Sequence, residues 1–278
     1  MHNATNEEWH ASLSLKYDRT DWGTVLRHKS HEGPLRVQKA LYPEGREVCH
    51  TLLLHPPGGI VGGDNLRFRV RLEEKAHVLF TNPGASKWYR NDCRPAYQTV
   101  QLHVGSRAVL EWFPQETIFF DRCWADMTTE IELESGAAMI GWDVFCFGRH
   151  HSGESFTRGQ VRSSLKISRD GRVVLLDRAR FDAQEPVMKS LTGLSGHTVT
   201  GTLVACAETL KKSAVDTCRK IPVGDAAQAG ITLVDGMFIA RILGDSSVTA
   251  KSWFTEIWRV LRPQLLGRSV ERPRIWRT

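Results

Sequence analysis

From about Ser12 to Phe181 one short extended run follows another. No interval holds the roughly 10–15-residue helical pattern that a βαβ unit needs. The runs are Thr51–Leu54, Leu66–Leu72, His77–Thr81, Thr99–Val104, Val109–Trp112, Thr117–Phe120, Thr129–Leu133, Ala138–Phe147, Gln160–Ile167 and Val173–Leu176. They are rich in β-branched and aromatic residues and bounded by Gly, Pro, Asn or Asp, as strands are. Leu66–Leu72 alternates apolar and basic residues, so one face turns inward and the other meets solvent. Ser168–Arg172 reads as a hairpin whose turn is Asp170-Gly171. Such a succession builds stacked β-sheets, sandwich-like or β-helical, rather than a doubly wound α/β fold.

The final third changes character. Val199, Leu203, Cys206, Leu210, Ala214, Cys218 and Ile221 recur at helical spacing, which predicts an amphipathic helix over about Thr200–Lys220. A second helix is expected from a cap at Ser246-Ser247 to Leu266, with Gly267 at the C′ position. Pro263 should kink it or end it early. Its Trp253, Phe254 and Trp258 could pack on the sheets or be offered to a partner. Between the helices, Ile231–Val234 and Met237–Leu243 form a hairpin around Asp235-Gly236. No fixed-period repeat, low-complexity tract or linker is evident, so residues 1–278 are expected to form a single, mainly β domain.

Composition narrows the function classes. A chain of 278 residues buries enough surface to need no disulfide or metal staple. The six cysteines, at 49, 93, 123, 146, 206 and 218, include no Cys-x-x-Cys and read as small buried hydrophobes. Met1–His10 is polar, unlike a secretory leader, and no run approaches the ~18 apolar residues of a membrane span, so a cytoplasmic protein is expected. The net charge of +6 is spread among acidic residues without a basic, aromatic-interleaved run. A basic balance can mean nucleic acid, and a solvated surface that meets an acidic protein partner fits it equally well. Arg268–Arg277 carries four arginines against one glutamate and reads as a loose basic terminus or a contact for such a partner.

One segment is shaped for a purpose. Leu54–Asp64 packs four glycines and two prolines between two strands and presents His55 and Asp64. It lacks the Lys-Ser/Thr of a phosphate-binding loop and the βαβ context of a dinucleotide site. There is no Gly-x-Ser-x-Gly elbow and no His-Glu-x-x-His, and His150-His151 reads as a solvated pair. Acidic residues are better placed: Asp64, Glu111, Glu116, Asp121, Asp143, Glu154 and Asp177 stand beside apolar residues at strand ends. A buried carboxylate is costly unless paired or metal-bound, so any that prove buried point to function.

Several blocks together carry a resemblance. They are His55–Asp64, Thr81–Arg90, Leu110–Thr117 with Phe120-Asp121, Gly141-Trp142-Asp143, Gly148-Arg149, Gly153–Phe156 with Gly159, Arg241–Gly244, Leu261-Arg262-Pro263 and Pro273–Trp276. In this order the chain resembles the urease accessory protein family UreD, called UreH in some lineages. The resemblance implies a mainly β fold with two helices and no catalytic activity of its own. It implies partners, UreF, the GTPase UreG and apo-urease, and a heteromeric complex that delivers nickel to the urease active site. It implies Ni²⁺ in transit along a water-filled internal tunnel, with no tightly bound cofactor.

On this resemblance Asp64, Ser86, Asp143 and Asp177 are expected to line the tunnel, with Glu111 and Glu116 next. Aspartate stands at 143 and 177 where family members often have glutamate. The glycine loop would then shape the backbone so that Asp64 reaches the path, with His55 bracing it. Carboxylates and hydroxyls hold Ni²⁺ more loosely than a Cys/His cage does, and a conduit must release its ion. Two other classes compete: a metal-dependent hydrolase using clustered carboxylates, and a nucleic-acid binder suggested by the basic pI of about 9.1.

Overall fold

The computed structural model describes residues 9–91 and 94–277. A hairpin of β1 (His10–Thr20) and β2 (Gly23–Glu32) opens it, followed by a short β3 (Arg36–Val37). The chain then coils, one strand in each of two sheets per turn. The first coil is β4 (Val48–Leu54) and β5 (Asn65–Leu72). The second is β6 (His77–Thr81), the short β7 (Ser86–Trp88) and β8 (Ala96–Val104). The third is β9 (Val109–Phe113), β10 (Thr117–Phe119) and β11 (Cys123–Leu133). The fourth is β12 (Ala138–Arg149), β13 (Glu154–Ser155) and β14 (Gly159–Arg169). After it come β15 (Arg172–Asp182), β16 (Val199–Cys206), α1 (Lys212–Cys218), β17 (Gln228–Val234), β18 (Met237–Gly244) and α2 (Ser247–Leu266).

One sheet runs β15-β14-β11-β8-β5-β1-β2, the other β17-β18-β16-β12-β9-β6-β4-β3. The coil strands are parallel within each sheet: β5, β8, β11 and β14 in the first, β4, β6, β9 and β12 in the second. Stacked sheets with a solenoid-like coil are the expected class.

The coil contains a repeat that residue identity conceals. At one end, Glu73–Ala76, Gly105–Ala108 and Glu134–Ala137 make the same turn. In each, the alanine N–H donates to the carbonyl three residues back, and the third residue is left-handed: Lys75 at φ 60°, Arg107 at 56°, Gly136 at 71°. The turns also stack, Lys75 N–H on the Ser106 carbonyl and Arg107 N–H on that of Ser135. The three turns begin 32 and 29 residues apart, so they set no fixed period in the sequence; the shared feature is backbone conformation, which lysine, arginine and glycine all supply here. The opposite end carries long connections, including the glycine loop.

The predicted helix over Thr200–Lys220 is corrected to a strand followed by one short helix. β16 lies between β12 and β18, and its Leu203–Cys206 end is buried on both faces, which produces a continuous apolar run there. Its Thr200-Gly201-Thr202 favours strand, and a Cβ on Gly201 would lie 2.8 Å from the Phe254 ring. Only α1 remains helical.

α2 keeps both predicted ends. Ser246 Oγ accepts the Thr249 N–H at 3.2 Å, and Gly267, at φ 63°, returns its N–H to the Pro263 carbonyl at 3.0 Å. The helix continues through Pro263, which sits exposed in its last turn. Trp253, Phe254 and Trp258 are all buried against β12, β16 and β18, so they belong to the core and are not offered to a partner. The basic terminus is not loose either. Trp276 donates to Thr81 Oγ1 at 2.8 Å and packs 5.6 Å from the Trp142 ring, while Arg268 and Arg272 meet Glu47 and Glu256. Among the described residues no helix is long and apolar enough to cross a membrane.

The core has two layers. One lies between the sheets and includes Leu15, Val70, Leu102, Val78, Phe80 and Met139; the other lies between the second sheet and α2. Alternation along β12 feeds both. Ile140, Trp142 and Val144 face α2, while Met139, Gly141, Asp143 and Phe145 face the opposite sheet. An aspartate therefore points into the space between two sheets.

Candidate functional site

Two hollows occupy that space. The larger, about 480 Å³, includes Asp143, Asp177, Thr200, Thr202 and Arg241 in its walls. The smaller, about 330 Å³, includes His55, Asn82, Ser86, Gln98 and again Asp143. Trp112, Thr129 and Asp143 border both, so these three residues stand between the two hollows.

Asp143 is half-buried between the sheets, and burial alone pushes its carboxyl up to about 7. No neighbouring charge offsets that cost. A carboxylate this poorly compensated favours a proton or a cation. Ser86 lines the smaller hollow from β7, held there by its N–H on the Glu116 carbonyl at 2.9 Å. Asp177 lines the larger hollow from β15, and Arg241 Nη2 donates to its Oδ2 at 2.7 Å. Ser86, Asp143 and Asp177 therefore line two neighbouring hollows that share Asp143 in their walls.

The other three expected residues stand apart from them, each engaged by the protein itself. Asp64 is buried and closes its own loop: Oδ2 accepts the Val61 N–H at 2.9 Å, and the Asp64 N–H returns to the Val61 carbonyl. Burial raises its carboxyl, against the opposing pull of the Val61 N–H and His55. The loop reaches the smaller hollow through His55, Gly58 and Ile60 instead. Burial lowers the His55 imidazole, with Asp64 pulling the other way. Gly59 is required, because a Cβ there would fall 2.0 Å from the Tyr89 ring.

Glu111 does not line the hollows; it faces α2. His77 Nε2 lies 2.7 Å from its Oε1, Trp258 Nε1 donates to Oε2 at 2.8 Å, and Arg262 grips both oxygens. Arg262 also binds Glu44, which His50 meets at 2.7 Å. Burial works to raise the Glu111 carboxyl, but His77 and Arg262 outweigh it and hold it at about 2. Both Glu111 oxygens are occupied by protein donors, so this carboxylate serves as the anchor of α2. Glu116 likewise pairs with Lys251 in α2.

Thr129, Thr202 and Arg241 escaped the sequence reading of the site. Thr202 and Arg241 stand abreast of Asp143 on β12, β16 and β18, a neighbourhood set by antiparallel register. Arg241 did lie within one of the family-like blocks, but nothing local marked it as facing a hollow.

Among the described residues no three His, Cys, Asp or Glu side chains converge as a closed metal cage. That geometry removes the main support for a carboxylate-cluster hydrolase. The arrangement sets a few isolated oxygen ligands among largely apolar walls, and such ligands hold a cation more loosely than a closed cage does.

Comparison with known proteins matches residues 10–277 to the model of the UreD urease accessory protein family. A urease accessory protein UreD from Dechloromonas aromatica (strain RCB) is 46% identical over 273 residues, covering 97% of this chain and 95% of that protein. The UreD of Pseudomonas aeruginosa PAO1 is 45% identical over 270 residues, with 97% and 95% covered. That of Azoarcus sp. (strain BH72) is 42% identical over 276 residues, with 99% and 96% covered. These relatives are named as accessory proteins rather than as enzymes, and on a match of this extent the chain belongs to the UreD family of urease accessory proteins.

Proposed function

We propose that this chain is a nickel-delivery scaffold of urease maturation. It binds UreF and UreG in the cytoplasm, docks on apo-urease, and lets Ni²⁺ pass between its two sheets. The observation that carries this reading is one uncompensated carboxylate, Asp143, shared by the walls of two inter-sheet hollows. Oxygen ligands from Ser86, Asp143 and Asp177 attract a divalent ion, and their separation along the hollows keeps it from being trapped. Ni²⁺ is the cargo here, handed on without any bond being made or broken in the protein.

The test is urease matured in cells carrying the full accessory set, with this chain as parent, Asp143→Ala or Asp143→Ala/Asp177→Ala. Nickel per urease active site, measured by atomic absorption, should fall several-fold in the variants, while co-purification with UreF persists. Normal nickel occupancy in the double variant would sink the conduit.

A further inference from the structure

A partly exposed charge pair stands in the wall of the larger hollow, where it is placed to govern what enters. Asp143, Thr202 and Arg241 are register neighbours on three adjacent strands, so their side chains share the face that lines the hollow. The opposite wall repeats the pattern with Thr129, Leu165 and Asp177, abreast on β11, β14 and β15. At the inner end of these rows lies Asp143. At the outer end Arg241 and Asp177, with side chains 57% and 27% exposed, reach across from opposite sheets and join at 2.7 Å.

We propose that Arg241 is the gate of this hollow, a tethered cation that holds Asp177 and must leave it before a free cation can pass inward to Asp143. This rests on the conduit reading and specifies how it is regulated. A guanidinium stays charged at any working pH, so it repels an arriving cation while it occupies Asp177, the carboxylate at that mouth among the described residues. Neutral solutes feel no such barrier. Half-exposed ion pairs are weak and exchange readily, which makes the pair a gate and not a permanent plug. Arg178 and Arg180 also line this hollow from β15; Arg180 is engaged by Glu185 at 2.8 Å, and Arg241 is the cation whose hydrogen bond to Asp177 is observed.

The test places a thiol behind the gate. Thr202→Cys in the full chain is exposed to a cationic reagent, 2-aminoethyl methanethiosulfonate, and to its neutral counterpart, methyl methanethiosulfonate. Labelling at position 202 is read by peptide mass spectrometry, which separates it from the native cysteines. With Arg241 present the neutral reagent should label faster. Arg241→Gln should raise the cationic rate about 10-fold while moving the neutral rate little. Arg241→Lys should keep the discrimination, and Asp177→Asn, which leaves Arg241 unpaired, should slow the cationic reagent further.

Equal acceleration of both reagents in Arg241→Gln, or no change in either, would overturn the gate. The hollow would remain open in both cases, so the nickel experiment would still decide the conduit separately. A position 202 closed to the neutral reagent in every background would overturn the gate as well, since no solute then enters past Asp177.

Discussion

Two carboxylates, Glu111 and Asp143, show how environment assigns opposite tasks to similar groups. Glu111 sits among an arginine, a histidine and a tryptophan N–H, and is held ionised at about 2. Its folded-state value lies below the unfolded one, so it adds stability above about pH 4.5 and loses it as pH falls toward 2. Glu111→Gln leaves Arg262 with an unmatched buried charge and should cost about 3–5 kcal/mol at pH 7, measured by denaturant unfolding. The gap from the parent should narrow below pH 4.5, where the parent loses the same contribution. Asp143 is raised to about 7 and has the reverse sign. Between pH 4 and 7 the unfolded chain ionises this group more easily than the folded one, which destabilises the metal-free protein. Asp143→Asn should therefore raise the thermal midpoint, by at most about 4 kcal/mol in stability at pH 8. That difference should grow from pH 4 to 7 and then level off. A parent and variant that melt alike at pH 8 would mean that Asp143 carries no such burden.

At the scale of elements, the coil turns and α2 carry the local rules. Lys75 and Arg107 occupy left-handed positions that cost a side-chain residue roughly 1–2 kcal/mol. Replacing either with glycine should stabilise the protein by up to about 1 kcal/mol, because the freer unfolded chain cancels part of the gain. A drop in the midpoint of both variants would show that the solvent-exposed contacts of Lys75 and Arg107 with Glu74 matter more than the backbone. Removing the cap with Ser246→Ala should cost about 1 kcal/mol in the same measurement. These elements were legible because their causes are short-range. Asp-Gly at 170–171 and 235–236 makes each hairpin with both residues at positive φ, and serine and glycine close α2 at the predicted ends. β16 was hidden because its Leu203–Cys206 end is buried on both faces without alternation, and its apolar residues also satisfy a helical spacing.

At the scale of the whole molecule, the C-terminal segment locks the second layer of the core. Trp276 lies among Phe113, Trp142 and Trp258, with its indole N–H on Thr81. Trp276→Ala should lower stability by about 2 kcal/mol and loosen α2, seen as faster hydrogen exchange along Ser247–Leu266. Unchanged exchange in α2 would show that the segment merely lies on the surface.

By itself, the sequence determined the succession of strands, the two hairpin turns, the ends of α2 and membership of a family. Each of these rests on neighbours along the chain or on ordered blocks of residues. Tertiary structure decided which acidic residues meet. Asp143 and Asp177 face each other's hollow because β12 and β15 lie in opposed sheets, whereas Glu111 turns toward α2 and Asp64 into its own loop. Strand register and sheet stacking join residues far apart in the chain. Whether a carboxylate is paired, and so whether it anchors the fold or waits for a cation, depends on the partners that stacking brings to it.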